Sequence, residues 1–400
     1  MKPYLTREIY KKQIERYLGK EIIKVLIGQR RVGKSYLLFQ TMDGIKKQYP
    51  NANIIYINLE LTEFEFITDH GKLYEYVKSK SKADALNFLM IDEIQVVPNF
   101  EKALRSLLAE GNYDIYCTSS NAHILSGELG TFLGGRYIEI PVYALSYPEF
   151  LNFHKLKNSS ESIDKYLKFG GLPYLIHLEL NDDTVFDYLK NINQSILFRD
   201  VVSRFEVRNV DFLVRLIKYL ANEVGNIISA RNIVKFLKSQ NISISINAVL
   251  NYLNYLSTAM LISAVKRSDI QGKKVFEIGE KYYFNDIGIR NAIVGFSPFD
   301  MGQIIENVIF LHLKTIGYSV LIGKHGDKEV DFIAERNAEK IYVQVALRIK
   351  ENQTMEREFG NLMAIKDNYP KYVITLDDYS GASHEGIKHI PLKQFLYEFN

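Results

Sequence analysis

Lys24-Val25-Leu26-Ile27-Gly28-Gln29-Arg30-Arg31-Val32-Gly33-Lys34-Ser35 decides how the rest of the chain is understood. An apolar run ending at Gly28 has the composition of a buried strand. Four residues later Gly-Lys-Ser leads into Tyr36-Leu37-Leu38-Phe39-Gln40, which can continue as a helix. A strand, a glycine-bounded loop and a helix in that order form the phosphate-binding loop pattern. The glycines let the backbone curl so that N–H groups converge on an anion, and the helix adds the positive end of its dipole. Gly28, Gln29, Arg30, Arg31, Val32, Gly33, Lys34 and Ser35 are therefore the expected nucleotide-holding residues. In this pattern Lys34 reaches the β- and γ-phosphates of ATP, and the Ser35 hydroxyl holds Mg²⁺.

Working outward, Leu86-Asn87-Phe88-Leu89-Met90-Ile91-Asp92-Glu93 is a second apolar strand, ending in paired acids. Downstream of a phosphate loop such a pair supplies the other half of a nucleotide site. Asp92 is expected to accept from a water on Mg²⁺ or to order the Ser35 side. Glu93, one residue on, is expected to polarise the attacking water as general base. A further strand over 113–118 ends in Ser119-Ser120-Asn121. Ser120 or Asn121 could hydrogen-bond the γ-phosphate from that tip, and either could equally be a helix N-cap. Arg136 follows Gly134-Gly135 and precedes a strand over 137–140. It is a candidate arginine finger, in cis or in trans, or a plain surface arginine. Helices are expected over 8–18, 72–80 and 100–111, and a strand over 53–59.

A chain of 400 residues exceeds one ordinary core, so two to three domains are expected. With 47% hydrophobic and 24% charged residues the composition is that of a globular protein. Lys+Arg 50 against Asp+Glu 47 leaves +3, which implies no strongly basic or acidic face. The single cysteine, Cys117, excludes an intramolecular disulfide and a cysteine metal site. It sits inside an apolar strand and is expected to be a packed core residue. Residues 1–8 lack an apolar signal core and no run of 18 apolar residues occurs. A cytoplasmic protein with no membrane partner is the expectation.

Gly28 to Ser35, Met90-Ile91-Asp92-Glu93-Ile94-Gln95, Gly134-Gly135-Arg136 and Leu145-Ser146-Tyr147-Pro148-Glu149-Phe150 occur in that order, followed by Phe169-Gly170-Gly171-Leu172-Pro173. Together they resemble the prokaryotic AAA+-type ATPases of the archaeal-ATPase group, and the resemblance covers essentially the whole chain. It implies a parallel sheet of the additional-strand type and a catalytic glutamate, here Glu93. It implies no known substrate.

The middle region is helical over 166–190, with a Gly-Gly-x-Pro break, and has a further amphipathic piece over 196–205. A three-helix pattern follows, over 212–223, to Leu237 after a Ser229 cap, and over 247–256 after a Ser245 cap. A hairpin with its turn at Asp269-Ile270-Gln271-Gly272 and its return at Val275-Phe276-Glu277-Ile278 comes next. Three helices and a hairpin predict a winged helix, and DNA becomes a candidate partner. Its third helix, however, carries no Lys or Arg for phosphates, so a protein-contact role is an equal expectation. The last region has a helix over 302–310 and strands over 318–321, 329–334, 340–346 and 371–376, with a helix around Glu356-Arg357-Glu358. A helix Glu306, a strand Asp331 and a polar residue on the next strand resemble the restriction-endonuclease-like core. Gln344 stands where that family has its second acid and Ala346 where it has its lysine, so no cleavage is expected. Arg348 and Lys350 could offer a migrated cation on the same strand face.

The expected organisation is an AAA+-type P-loop ATPase domain at 1–150, a helical lid or linker at 151–208, a winged-helix domain at 209–290 and a degenerate nuclease-like α/β domain at 291–400. The expected activity is ATP hydrolysis with Mg²⁺ that drives or gates a change acting on nucleic acid. The alternative is a nucleotide switch or scaffold for protein partners. A homo-oligomer is compatible with both.

Overall fold

Ile23–Ile27 (β1), Asn53–Asn58 (β2), Asn87–Asp92 (β3), Tyr113–Ser119 (β4) and Tyr137–Pro141 (β5) pair side by side, all parallel, in the order β2-β3-β4-β1-β5. β1, β3 and β4 are buried along their whole length, which is why they are nearly continuous apolar runs rather than alternating ones. β4 lies between the loop-bearing β1 and the acid-bearing β3, so the sheet is a P-loop NTPase sheet with an additional strand. Helices His70–Lys80 and Phe100–Ala109 cover the sheet through Leu73, Val77, Leu104 and Leu107, packed in one core with Val25, Ile27, Leu89, Ile91 and Cys117. Register aligns the carboxyl ends: Ile27 pairs with Ser119, Ile91 with Cys117 and Asn58 with Asp92. The residues that follow those strands thus emerge at one edge, where open α/β sheets bind ligands.

This is a computed structural model that describes residues 4–122, 124, 133–239, 242–270, 279–348, 359–377 and 383–399. The chain divides into two compact units, Met1–Tyr143 with Thr258–Met260, and Ala144–Ser257 with Leu261–Asn400.

The second unit begins with a capped helix, Tyr147–His154. Ser146 accepts from the Glu149 N–H while Glu149 reaches back to the Ser146 N–H. The expected helix over 166–190 is two helices, Ser160–Phe169 and Asp182–Ser195, separated by a 3₁₀ turn at Pro173–His177. Gly171 sits between them because a Cβ there would lie 2.4 Å from the Leu145 carbonyl oxygen. Its N–H donates to the buried Asp286 carboxylate at 2.8 Å. Burial pushes Asp286 up to about 6, against the N–H groups of Gly171, Ile289 and Gly288. The piece over 196–205 is a π-type continuation of the preceding helix, Ile196–Ser203.

Helices Val210–Asn222, Ala230–Ser239 and Ile246–Thr258 follow, the last two with Ser229 and Ser245 hydroxyls accepting from Asn232 and Ala248 N–H groups. Ile262–Asp269 (β7) then pairs antiparallel with Glu280–Phe284 (β8), which pairs with Ile227–Ile228 (β6). The expected return strand over 275–278 lies outside the described residues; the strand observed opposite β7 is β8. The far end of β7 pairs parallel with Ser319–His325 (β9), Ser268 opposite Gly323. Lys328–Arg336 (β10), Glu339–Val345 (β11), Lys371–Thr375 (β12) and Lys388–Pro391 (β13) complete one sheet, in the order β13-β12-β11-β10-β9-β7-β8-β6. β9, β10 and β11 form an antiparallel meander and β12 joins β11 in parallel, with helix Met301–Thr315 supplying Glu306. The helix expected around 356–358 lies outside the described residues.

Candidate active site

The loop after β1 is held open at its base by a steric constraint. A Cβ on Gly28 would lie 2.3 Å from the Val142 carbonyl oxygen, so only glycine lets β1 pass so close to the end of β5. Arg31 and Gly33 adopt left-handed backbone, φ 70° and 95°, before helix Lys34–Gln48 begins. Such a curl turns successive N–H groups to one side, the shape that receives an anion. Arg7 braces the loop from outside: its guanidinium donates to the Val32 and Tyr143 carbonyl oxygens at 3.0 Å each. Nothing in the spacing of the sequence pointed to Arg7.

Lys34 is buried, and its Nζ donates to the carbonyl oxygens of Gly28 at 2.9 Å and Gln29 at 3.3 Å. The same Nζ lies 3.4 Å from Glu93 Oε1. Ser35 is hydrogen-bonded to Asp92, and Asp92 also accepts from the hydroxyls of Thr118 and, at 3.5 Å, Tyr56. Burial dominates these bonds and raises Asp92 above its ordinary value. Glu93 has φ 58°, an uncommon backbone for a residue with a Cβ, held by its N–H donating to Thr118 Oγ1 at 2.9 Å. Its carboxylate accepts from Ser120 Oγ at 2.9 Å and from the Gln95 amide. Burial would lift Glu93, but the Lys34 and Arg30 charges and these two hydrogen bonds outweigh it and hold the carboxyl down at about 2.

Lys34, Ser35, Asp92, Glu93 and Ser120 thus come together from three segments far apart in sequence. The Ser120 hydroxyl is used on Glu93, while Ser119 Oγ accepts the Asn121 N–H at 3.0 Å. Asn121 is half-buried on the same tip. Arg30 pairs with Glu60 at 3.0 Å at the rim, and the buried Gln29 amide has no partner among the described residues. Arg136 is exposed; its carbonyl oxygen accepts from the Ile23 N–H, and its guanidinium makes no described contact with the Lys34–Glu93 cluster. The arrangement has the donors for a polyphosphate, two oxygen ligands for a hard cation in Ser35 and Asp92, and a carboxylate for a proton.

A second cluster lies in the other unit. Lys281 on β8, almost fully buried, pairs with Glu306 at 2.9 Å, Glu329 at 2.7 Å and Asp331 at 3.6 Å, and the Tyr283 hydroxyl donates to Glu306 at 2.6 Å. Gln344 Oε1 accepts the Asp331 N–H at 3.4 Å, and Asp331 accepts the Val345 N–H at 2.8 Å. Burial, then the Glu306 charge, holds Asp331 well above the ordinary aspartate value, against the pull of Lys281. Burial would lower Lys281, but Glu306, Asp331 and Glu329 outweigh it and raise it. Lys281 is thus the buried counter-charge of these acids; Arg348 is exposed and Lys350 lies outside the described residues. Lys281→Met should lower the stability of this unit by about 3 kcal/mol, because the remaining carboxylates lose their buried counter-charge. Urea unfolding measures it; a loss below about 1 kcal/mol would mean the cluster is held by other contacts.

Residues 20–151 match the AAA domain family, and residues 160–300 match a domain of unknown function (DUF8612). Residues 20–151 thus form an AAA-type domain with a P-loop NTPase sheet. An uncharacterised protein of Haemophilus influenzae is 36% identical over 405 residues, covering 99% of this chain and 100% of its own length. An uncharacterised protein of Methanocaldococcus jannaschii is 31% identical over 390 residues, covering 93% of this chain and 86% of its own. The chain belongs to the family of these two proteins. The Aeropyrum pernix ORC1 protein, solved in complex with DNA, aligns with 73% of this chain and 93% of its own at 10% identity and a TM-score of 0.34, a likeness too slight to carry an argument. Among the described residues no helix is long and apolar enough to cross a membrane.

Proposed function

We propose that this protein hydrolyses ATP with Mg²⁺ at the loop edge of its five-stranded sheet, and that the cycle gates a change acting on nucleic acid. The observation that carries the first part is the convergence of Lys34, Asp92, Glu93 and Ser120 within hydrogen-bond or ion-pair reach. The N–H groups of the Gly28–Ser35 loop and Lys34 would hold the phosphates, and Ser35 with Asp92 would hold Mg²⁺. That ion, when bound, neutralises charge on the β- and γ-oxygens. Glu93 takes the proton of the attacking water. Ser120 or Asn121 then meets the γ-phosphate from the β4 tip. The exposure of Arg136 suits a finger offered to another copy of the chain.

Support for nucleic acid is the set of three capped helices followed by the β7–β8 pair. A protein partner is the second reading, favoured by helix Ile246–Thr258. It has no cation, and it exposes Leu250 by 50% and Ile246 by 40%. The antiparallel β9–β11 meander with β12 added in parallel supports a restriction-endonuclease-like origin for the last region, with Lys281 against the acids in place of a working metal site. Duplex DNA titrated with ATP and Mg²⁺ separates these readings. Specific action on DNA predicts affinity that falls steeply between about 50 and 200 mM salt, with the DNA left uncut. No binding at the lower salt would leave the protein-partner reading.

A further inference from the structure

Gln95 lies in the 3₁₀ turn Ile94–Val96, two residues beyond Glu93, and is half-buried. Its Nε2 donates to Glu93 Oε2 and, at 3.2 Å, to Ser120 Oγ, which itself donates to Glu93 Oε2 at 2.9 Å. The orientation of the amide is dictated by charge, since turning Oε1 to that spot would set it against a carboxylate. Oε1 therefore faces elsewhere; it is shut from solvent and has no partner among the described residues. On the far side, Glu93 Oε1 is 3.4 Å from Lys34 Nζ, the group with first call on a bound γ-phosphate.

We propose that Gln95 is a positioning residue of the hydrolytic step: it fixes the Glu93 carboxylate through Nε2 and takes the second O–H of the attacking water on Oε1. The inference rests on the hydrolysis proposed above. A water bridging Glu93 Oε1 and Gln95 Oε1 has both hydrogens engaged, so its free lone pair is turned outward, as a glutamine orients water in other phosphate-loop enzymes. When the water oxygen bonds to the γ-phosphorus, the bond from that phosphorus to the bridging oxygen breaks. ADP leaves with the electron pair, and the water's proton goes to Glu93. Gln95 neither gains nor loses a proton. Without it Glu93 keeps Ser120 and Lys34 but swings about one fewer anchor, and the water is held from one side only.

The test is ATP affinity and turnover in Gln95→Leu and Gln95→Glu. The first removes both polar atoms; the second keeps the length and an acceptor but replaces the donor with a charge that repels Glu93. Both should bind ATP within about threefold of wild type and turn over at least tenfold more slowly, a loss confined to kcat. Gln95→Met, of similar volume, repeats the measurement should the leucine variant fold poorly. Turnover within twofold of wild type, or an affinity that falls in step with turnover, overturns the inference while leaving ATP hydrolysis standing. Absence of turnover in wild type itself overturns the hydrolysis and the role of Gln95 with it.

Discussion

Glu93→Gln binds ATP with affinity close to wild type and hydrolyses it at least about a hundredfold more slowly. The substitution keeps the shape of the side chain and its contacts with Ser120 Oγ, but the amide cannot accept the proton of the attacking water. Lys34 loses a neighbouring negative charge at 3.4 Å, which if anything frees it for phosphate, so the defect falls on the chemical step. The carboxyl of Glu93, held at about 2, is fully ionised at any working pH, so the base is never lost to protonation before a nucleotide arrives. Nucleotide titration and phosphate release measure the two halves separately. Wild-type turnover in the variant would move the base elsewhere. A mixture of Glu93→Gln with Arg136→Ala extends the same experiment: if Arg136 serves a neighbouring copy, some mixed interfaces hold both intact groups and turnover partly returns. No recovery, from protein of monomeric mass, restricts Arg136 to its own chain or to no role.

Lys34→Ala loses ATP affinity by about a hundredfold or more. A charge-assisted bond to phosphate contributes about 3 kcal/mol, and this ammonium is buried where little water screens it. Its present partners, the Gly28 and Gln29 carbonyl oxygens and Glu93, show that Nζ already lies inside the curl of the loop, ready to exchange carbonyls for phosphate oxygens. The helix N-terminus and the loop N–H groups remain, so weak binding persists and Mg²⁺ dependence is kept. Titration of a folded variant with a fluorescent ATP analogue reads the change. Affinity equal to wild type would remove nucleotide binding from this loop.

The first unit was legible because its chemistry is local in sequence: a glycine-bounded loop, a lysine beside a serine, two acids at a strand end. The three central strands, β1, β3 and β4, are nearly continuous apolar runs, and their carboxyl ends lead into the residues that meet at the sheet edge. What the pattern could not show is how Glu93 is held. Gln95 sits in the same quoted motif, but its amide reaches Glu93 only because the chain takes a left-handed step at that residue and a tight turn after it. In the second unit the helix caps at Ser229 and Ser245 were legible from serine alone, whereas the partner of the acids was not. Lys281 lies 25 residues before Glu306 on a strand with no motif, and only the antiparallel pairing of β8 with β7 carries it inward. The parallel pairing of β7 with β9 leaves no signature in either segment alone.

That pairing also decides where the chain can be divided. A cut between residues 290 and 291, the expected domain boundary, would strip β9 of its neighbour β7 and expose a row of unpaired backbone groups. The same cut would leave Glu306, Glu329 and Asp331 on one fragment and Lys281 on the other. The last hundred residues are therefore half of a joint rather than a removable part, and a relative that lacked β7 and β8 would need another cation and another strand to replace them.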